Sequence, residues 1–380
     1  MIPYSKHFID KDDIDAVVDV LRNKSITQGE LIGKLENKIS KYVKCKYAVA
    51  VTSCSAGLHL SSSIIGMKNK NVVTSPITFA STASSILHCG GKLKFVDISN
   101  KNINIDLDNI DKLNFNVNTI IPIHFSGAAV ELKNFRNKNP KIKIIEDSAH
   151  ALGAKYKTGD MVGSCKFSDI SVFSLHPAKT ITAGEGGIIT TNSEDYYDEL
   201  KLLSNNGVQK NKEKYKIKKY KNDMWYYEVQ RLGFHYRITD FQCALAISQL
   251  NKINIFLKAR KKIVKNYDEA FKSFKNLDPA IDYLERKNSS NHLYVIRIKY
   301  KRIKKTRSII MNYLKSKGII TQVHYIPIIN HPLFKRYINK NDKLENAKSY
   351  YDEALSLPLY YSLKEKEQEK VIRELKNIIE

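Results

Sequence analysis

Ser171-Val-Phe-Ser-Leu-His-Pro-Ala-Lys-Thr-Ile-Thr-Ala-Gly-Glu-Gly-Gly187 is an apolar run that ends in a hydroxyl, Ser174, and passes a lysine, Lys179. A glycine-rich turn then opens the next apolar run, Gly187–Thr191. Strand, loop and second strand fit that order. Glycines at such a turn permit positive φ and let backbone approach a ligand closely. Lys179 has two readings. It is either a solvated loop charge or an enclosed lysine, which sheds its proton more easily and becomes nucleophilic.

Outward from this segment, short apolar runs recur at Tyr47–Thr52, Val72–Ser75, Leu93–Asp97, Thr119–Ile123 and Ile142–Glu146, besides Ile170–Ser174 itself. Helix-like stretches alternate with them up to about Gln249. This alternation predicts an α/β fold: a large, doubly wound, mostly parallel sheet with helices on both faces. Ligands collect at the carboxyl ends of strands in such sheets, so the useful residues should sit just after each run.

The rest of the chain has another rhythm. A helix is expected over Phe241–Phe271, a strand at Leu293–Ile298, a helix at Lys305–Lys317 stopped by Gly318, and a strand at Ile319–Tyr325. A terminal helix from about Leu363 places Val371, Ile372, Leu375, Ile378 and Ile379 on one face. The expected division is therefore a large domain over 1–249, with an N-terminal arm, and a small α+β domain over 250–380.

At roughly 150 residues per domain, the 380 residues suit this pair of domains. With 42% apolar residues the chain can build a core, which excludes wholesale disorder. No apolar run approaches the ~18 residues of a membrane helix, so a cytoplasmic protein is expected. Lys+Arg 63 against Asp+Glu 39 gives a net charge of +24, compatible with anionic partners or with a solvated lysine coat. No nucleic-acid-binding motif accompanies it, so no nucleic-acid partner is expected. The Lys-rich stretch 209–221 reads as a solvated loop. The five cysteines form no C-x-x-C pair and His324 and His331 lack a third ligand, so neither a disulfide frame nor a metal is expected.

Three more segments carry chemistry. In Ile142-Lys-Ile-Ile-Glu-Asp-Ser-Ala-His150, Asp147 ends an apolar strand, where an unpaired carboxylate is costly to bury. It either caps a following helix or faces a protonated ring nitrogen. In Val51-Thr-Ser-Cys-Ser-Ala-Gly-Leu-His-Leu60, a strand runs into a hydroxyl-rich helix start, which suits a phosphate or is simply an N-cap. In Ser75-Pro-Ile-Thr-Phe-Ala80, Phe79 is a core aromatic or a plate for a cofactor ring.

Together with Tyr4-Ser5, Ile26-Thr-Gln-Gly29, Leu232-Gly-Phe-His-Tyr-Arg-Ile-Thr-Asp-Phe-Gln-Cys-Ala-Leu-Ala246 and Gln322-Val-His-Tyr-Ile-Pro327, these segments resemble the DegT-type sugar aminotransferases over essentially the whole chain. Ser289-Ser-Asn-His-Leu-Tyr294 and Leu355-Ser-Leu-Pro358 are similar to a branch acting on C4 of a UDP-linked 4-keto-6-deoxy-N-acetylhexosamine in pseudaminic acid biosynthesis.

The resemblance implies a fold-type I, aspartate-aminotransferase-like homodimer with shared active sites, pyridoxal 5'-phosphate as cofactor and L-glutamate as amino donor. It implies Lys179 as the lysine that bonds the cofactor, Asp147 at the pyridine nitrogen, His150 near the ring 3-hydroxyl and Phe79 stacked on the ring. Ser55, Ala56 and Ser174 would hold the phosphate. Tyr4, His324 and Tyr325 would face the sugar. His235 stands where the family usually has an Asn that reaches the partner subunit's phosphate; an imidazole still donates one hydrogen bond. Related sugar 3-dehydratases carry His in place of the lysine, so Lys179 argues against them. An aminotransferase for another nucleotide keto-sugar, 3-amino or dTDP-linked, is the alternative.

Overall fold

A computed structural model of the chain describes residues 1–338 and 343–380. The N-terminal arm leads to α1 (Lys11–Asn23) and α2 (Glu30–Val43). Strands and helices then alternate: β1 (Tyr47–Val51), α3 (Cys54–Ile65), β2 (Asn71–Thr74), α4 (Ala80–His88), β3 (Lys92–Phe95), β4 (Thr119–Ile121), α5 (Leu132–Lys138) and β5 (Lys143–Asp147). β6 (Ile170–Ser174), β7 (Gly187–Thr191) and α6 (Glu194–Ser204) follow, then a short hairpin, β8 (Val208–Gln209) with β9 (Glu228–Val229).

β1 to β7 form one sheet in the order β1-β7-β6-β5-β4-β2-β3. Its pairs are parallel except at β7, which runs antiparallel to both β6 and β1. Alternate residues of each strand enter different cores. Ala48, Ala50, Ile144 and Ile188 pack on one face, and Val49, Val51, Ile145 and Ile189 on the other. A sheet covered on both faces needs apolar residues at both phases, which explains the unbroken apolar runs.

The expected helix over Phe241–Phe271 is two helices, α7 (Asp240–Asn251) and α8 (Ile253–Phe271), divided at Lys252. The ammonium of Lys252 reaches Asp10 at 2.6 Å and Asp13 at 2.8 Å, tying the break to α1. α7 stays against α1 and α2, while α8 goes on to the second core. That core is built on β10 (Leu277–Pro279), β11 (Tyr294–Ile298) and β12 (Ala354–Leu357), with α9 (Arg307–Ser316), α10 (Glu345–Glu353) and α11 (Glu365–Ile379) nearby in sequence. The strand expected at Ile319–Tyr325 is not one. Only isolated bridges occur there, Ile319 to Ile2 and Gln322 to Ser356, and the backbone carbonyl of His324 accepts from the Tyr350 hydroxyl instead of from a neighbouring strand.

Two stretches behind the family resemblance turn out to be structural. Asp240 accepts hydrogen bonds from the Gly29 N–H at 2.8 Å and the Leu31 N–H at 3.1 Å, capping α2 from the start of α7. Gly29 has no side chain because a Cβ there would lie 2.7 Å from Asp240 Oδ1. In the Lys-rich region Lys214 pairs with Asp198, and Lys221 with Glu213 at 2.9 Å. The loop is further pinned by Glu228. Burial alone would raise its pKa, but donors from Lys216, Gln230, Ile217 and Tyr226 hold it down at about 2.

Candidate active site

The carboxyl ends of the central strands open into a cavity of about 420 Å³. Tyr4, Ser55, Phe79, Asp147, His150, Ser174, Lys179, His324 and Tyr325 all line it. Residues from the N-terminal arm to position 325 are thus gathered in one place. Two expected residues lie elsewhere. Ala56 borders a neighbouring cavity of about 330 Å³, and its N–H is bonded to Ser53 Oγ at 3.1 Å. His235 is exposed, with its Nε2 2.8 Å from Arg237 Nη2.

Asp147 is the last residue of β5, and a turn, not a helix, follows it. Successive strand residues face opposite sides. Glu146 therefore points away from the cavity, where it accepts hydrogen bonds from His124 Nε2 and the Tyr156 hydroxyl, both at 2.6 Å. Asp147 faces the cavity and accepts from Thr82 Oγ1 at 2.6 Å and from the Ala149 N–H at 3.1 Å. Burial raises its pKa, although Thr82, Ala149, Lys179 and His124 all pull it down. Among the described residues it makes no ion pair, so a buried carboxylate here lacks a cation.

Lys179 sits in the turn after β6, its N–H bonded to His176 O at 2.8 Å. Loss of solvent lowers its pKa, against the raising influence of Cys54 and Asp147. The turn then closes through Gly184 at φ +79°. Gly187 has a different reason to be glycine. A Cβ there would lie 2.4 Å from Ser53 O and 2.7 Å from Cys54 N, so the start of α3 rests directly on the backbone of β7.

The first N–H groups of a helix have no intrahelical partner. Ser53, the N-cap of α3, takes that of Ala56, which leaves the first turn at Cys54 and Ser55 toward the cavity. Phe79 is 60% exposed, an uncovered aromatic at a cavity wall.

The opposite wall is imidazole and phenol. Ser126 N–H donates to His150 Nδ1 at 3.3 Å, so the proton of the neutral ring is on Nε2, which donates to the Tyr325 hydroxyl oxygen at 3.0 Å. Tyr325 thereby keeps its own proton free. His292 packs against His150 with ring centroids 4.3 Å apart and planes tilted by 33°. His324 Nδ1 meets Ser356 Oγ at 2.8 Å. Burial pushes His150 and His292 well below the usual histidine value and His324 down to about 4, so all three are neutral at pH 7.

Sequence reasoning overlooked Cys54, Thr78, His176, Glu185 and His292, which also line the cavity, and Thr82 behind Asp147. A usable signal existed for two of them. Thr78 lies inside the stretch 75–80, and His292 inside the stretch 289–294. Among the described residues, no helix is long and apolar enough to cross a membrane, and no group of three or more His, Cys, Asp or Glu could hold a metal ion.

The sequence and fold match known proteins throughout. The family model described as the DegT/DnrJ/EryC1/StrS aminotransferase family matches residues 7–376. The chain is 33% identical over 386 residues to the UDP-4-amino-4,6-dideoxy-N-acetyl-beta-L-altrosamine transaminase of Campylobacter jejuni, covering 100% of this chain and 98% of that one. Its fold is similar to that of Helicobacter pylori PseC, an aminotransferase involved in the biosynthesis of pseudoaminic acid, with a TM-score of 0.90 at 28% identity, covering 100% of this chain and 99% of that one. Streptococcus pneumoniae Spr1654, solved in a PLP form, has a TM-score of 0.87 at 26% identity, covering 99% of this chain and 98% of that one. The sheet order, the cavity at its strand ends and a match that runs nearly end to end lead to one conclusion: this chain belongs to the DegT/DnrJ/EryC1/StrS aminotransferase family.

Proposed function

We propose that this protein is a pyridoxal-phosphate-dependent aminotransferase that transfers an amino group from L-glutamate to C4 of a UDP-linked 4-keto-6-deoxy-N-acetylhexosamine, as in pseudaminic acid biosynthesis. The observation that carries the reading is the pairing, in one cavity, of an enclosed lysine with a buried carboxylate that lacks a cation. A protonated pyridine nitrogen is the partner such a carboxylate needs.

When bound, pyridoxal phosphate supplies an electrophilic carbon and an electron sink. The chain does the rest. Lys179 would be the residue that bonds the cofactor, and once the amine of glutamate takes its place there its free Nζ would accept the α-proton as general base. Asp147 keeps the proton on the ring nitrogen. Phe79 would support the ring face, and the neutral His150 would serve the ring 3-hydroxyl. Ser55, Ser174 and the free N–H groups starting α3 hold the phosphate, helped by the helix dipole. Ala56 belongs to that same turn. Tyr4, His324 and Tyr325 face the sugar, with the Tyr325 proton available as a donor.

The close approach at Gly187 makes this cradle sensitive. Gly187→Ala should displace the Ser53–Cys54 backbone and weaken cofactor binding by about tenfold or more, at ~1.4 kcal/mol per decade. Titrating the apo-protein with pyridoxal phosphate and following absorbance checks it; an unchanged Kd would remove the α3 turn from the phosphate site.

The active form is a homodimer, with His235 directed to the partner's phosphate. Met224 and Leu232 are each 96% exposed and Trp225 is 70% exposed, apolar side chains that a partner subunit would cover. Trp225→Glu combined with Leu232→Asp should convert a dimer into a monomer by light scattering and lower activity with it. A double variant that stays dimeric would place the interface elsewhere. On this reading the large domain ends after residue 249, in the last turn of α7.

The deciding experiment incubates the holoenzyme with glutamate and the UDP-4-keto-sugar and identifies the product by NMR. A 4-amino sugar together with 2-oxoglutarate supports the reading. Release of ammonia without an amino sugar would assign a dehydratase instead.

A further inference from the structure

Thr82 is wholly buried on the first turn of α4, and its side chain reaches the end of β5. Its Oγ1 lies 2.6 Å from Asp147 Oδ2 and 2.7 Å from Thr78 Oγ1. Chemistry sets the direction of this chain. An ionised carboxylate has no proton to give, so Thr82 must donate to it. A hydroxyl carries one proton, so Thr82 can meet Thr78 only as acceptor, and Thr78 donates. Both hydroxyl dipoles then point at Asp147, and each strengthens the other. Thr78 borders the cavity, whereas Thr82 is not among its lining residues.

We infer that Thr82, backed by Thr78, is a positioning residue that holds Asp147 ionised and aims its free lone pairs into the cavity. The inference rests on the reading of Asp147 as the partner of a protonated ring nitrogen. Oδ1 is fixed separately by the Ala149 N–H at 3.1 Å, so the carboxylate is held at both oxygens and cannot rotate to another acceptor geometry. Valine has nearly the shape of threonine and lacks only the hydroxyl, so Thr82→Val isolates this effect.

The test measures uptake of pyridoxal phosphate by the apo-protein as a function of pH, read by absorbance and needing no turnover. Four groups bear on Asp147: Lys179, Cys54, Tyr325 and His124. They are present in every variant, as is the cofactor's own titration, so differences between curves report on Asp147. Loss of a donor raises the carboxyl pKa, so uptake should fail at a higher pH. Thr82→Val should move the acid-side midpoint up by ~1 unit and weaken the Kd at neutral pH about tenfold, as expected for a hydrogen bond to a charged group. Thr82→Ser, which keeps the hydroxyl, should follow the wild type. Thr78→Val, which leaves Thr82 in place, should shift the midpoint the same way by less.

A Thr82→Val curve that superimposes on the wild type overturns the inference. So does a loss of thermal stability with an unshifted midpoint, shared by Thr82→Ser, which marks a packing role. Failure of the parent reading looks different: the wild type takes up no cofactor, or Asp147→Asn keeps the wild-type curve, and the inference falls with it.

Discussion

Lys179→Arg eliminates turnover, with a fall of at least ~10³-fold, because one residue supplies both the nucleophile and the proton carrier. The physical reason lies in acidity. Partial enclosure already lowers the Lys179 pKa and so favours the neutral amine that reacts. A guanidinium holds its proton throughout the working range and offers no lone pair. The variant keeps a positive charge of similar length, so fold and thermal stability should hardly move. Steady-state kinetics with glutamate checks the loss. Borohydride treatment of the wild-type holoenzyme followed by peptide mapping should place the pyridoxyl group on Lys179. Label on another lysine would overturn the assignment, and so would a Lys179→Arg rate within tenfold of the wild type.

Asp147→Asn should cost ~3 kcal/mol of transition-state stabilisation, or roughly 10²-fold in rate, as for other oriented charge partners. The amide oxygen can still accept from the Ala149 N–H while the amide nitrogen donates to a Thr82 hydroxyl turned toward Thr78, so the side chain stays in place. What disappears is the negative charge that keeps the ring nitrogen protonated. Stability should move the other way. The folded-state pKa of Asp147 is raised by burial, so at pH above it the folded apo-protein carries a carboxylate it would rather protonate. The wild type is penalised at neutral pH and relieved as pH falls through that pKa. Asn removes the penalty, so the apo-variant should melt at the same temperature or higher at pH 7, with the difference shrinking in acid. A rate within twofold of the wild type would leave Asp147 with only its turn-capping bond to Ala149.

The large sheet was legible because its strands are short apolar runs at regular spacing, and observed and expected strands agree to within about two residues. Local periodicity served less well where tertiary partners decide. A break at Lys252 depends on carboxylates more than two hundred positions away on α1, and no window of sequence around 252 contains them. The segment 319–325 reads like a strand, yet its backbone partners, Ile2, Ser356 and the Tyr350 hydroxyl, are scattered along the chain and form no ladder.

The same division holds for the site. Lys179, Asp147, Ser174 and Phe79 were readable because the carboxyl end of a parallel strand is where side chains and loops meet a ligand, and strand ends can be seen in a sequence. Thr82 was not, since a threonine early in a helix looks the same whether or not a carboxylate lies 2.6 Å from its hydroxyl. His292 was quoted only within a motif, and its packing against His150 joins segments far apart in the chain. By itself, the sequence determined the layered α/β class and the chemical types of the principal site residues, because burial periodicity and strand-end chemistry are local. Only the tertiary structure decided which donors orient those residues, which histidines are held neutral and which backbone needs glycine, because desolvation and hydrogen bonding depend on neighbours in space.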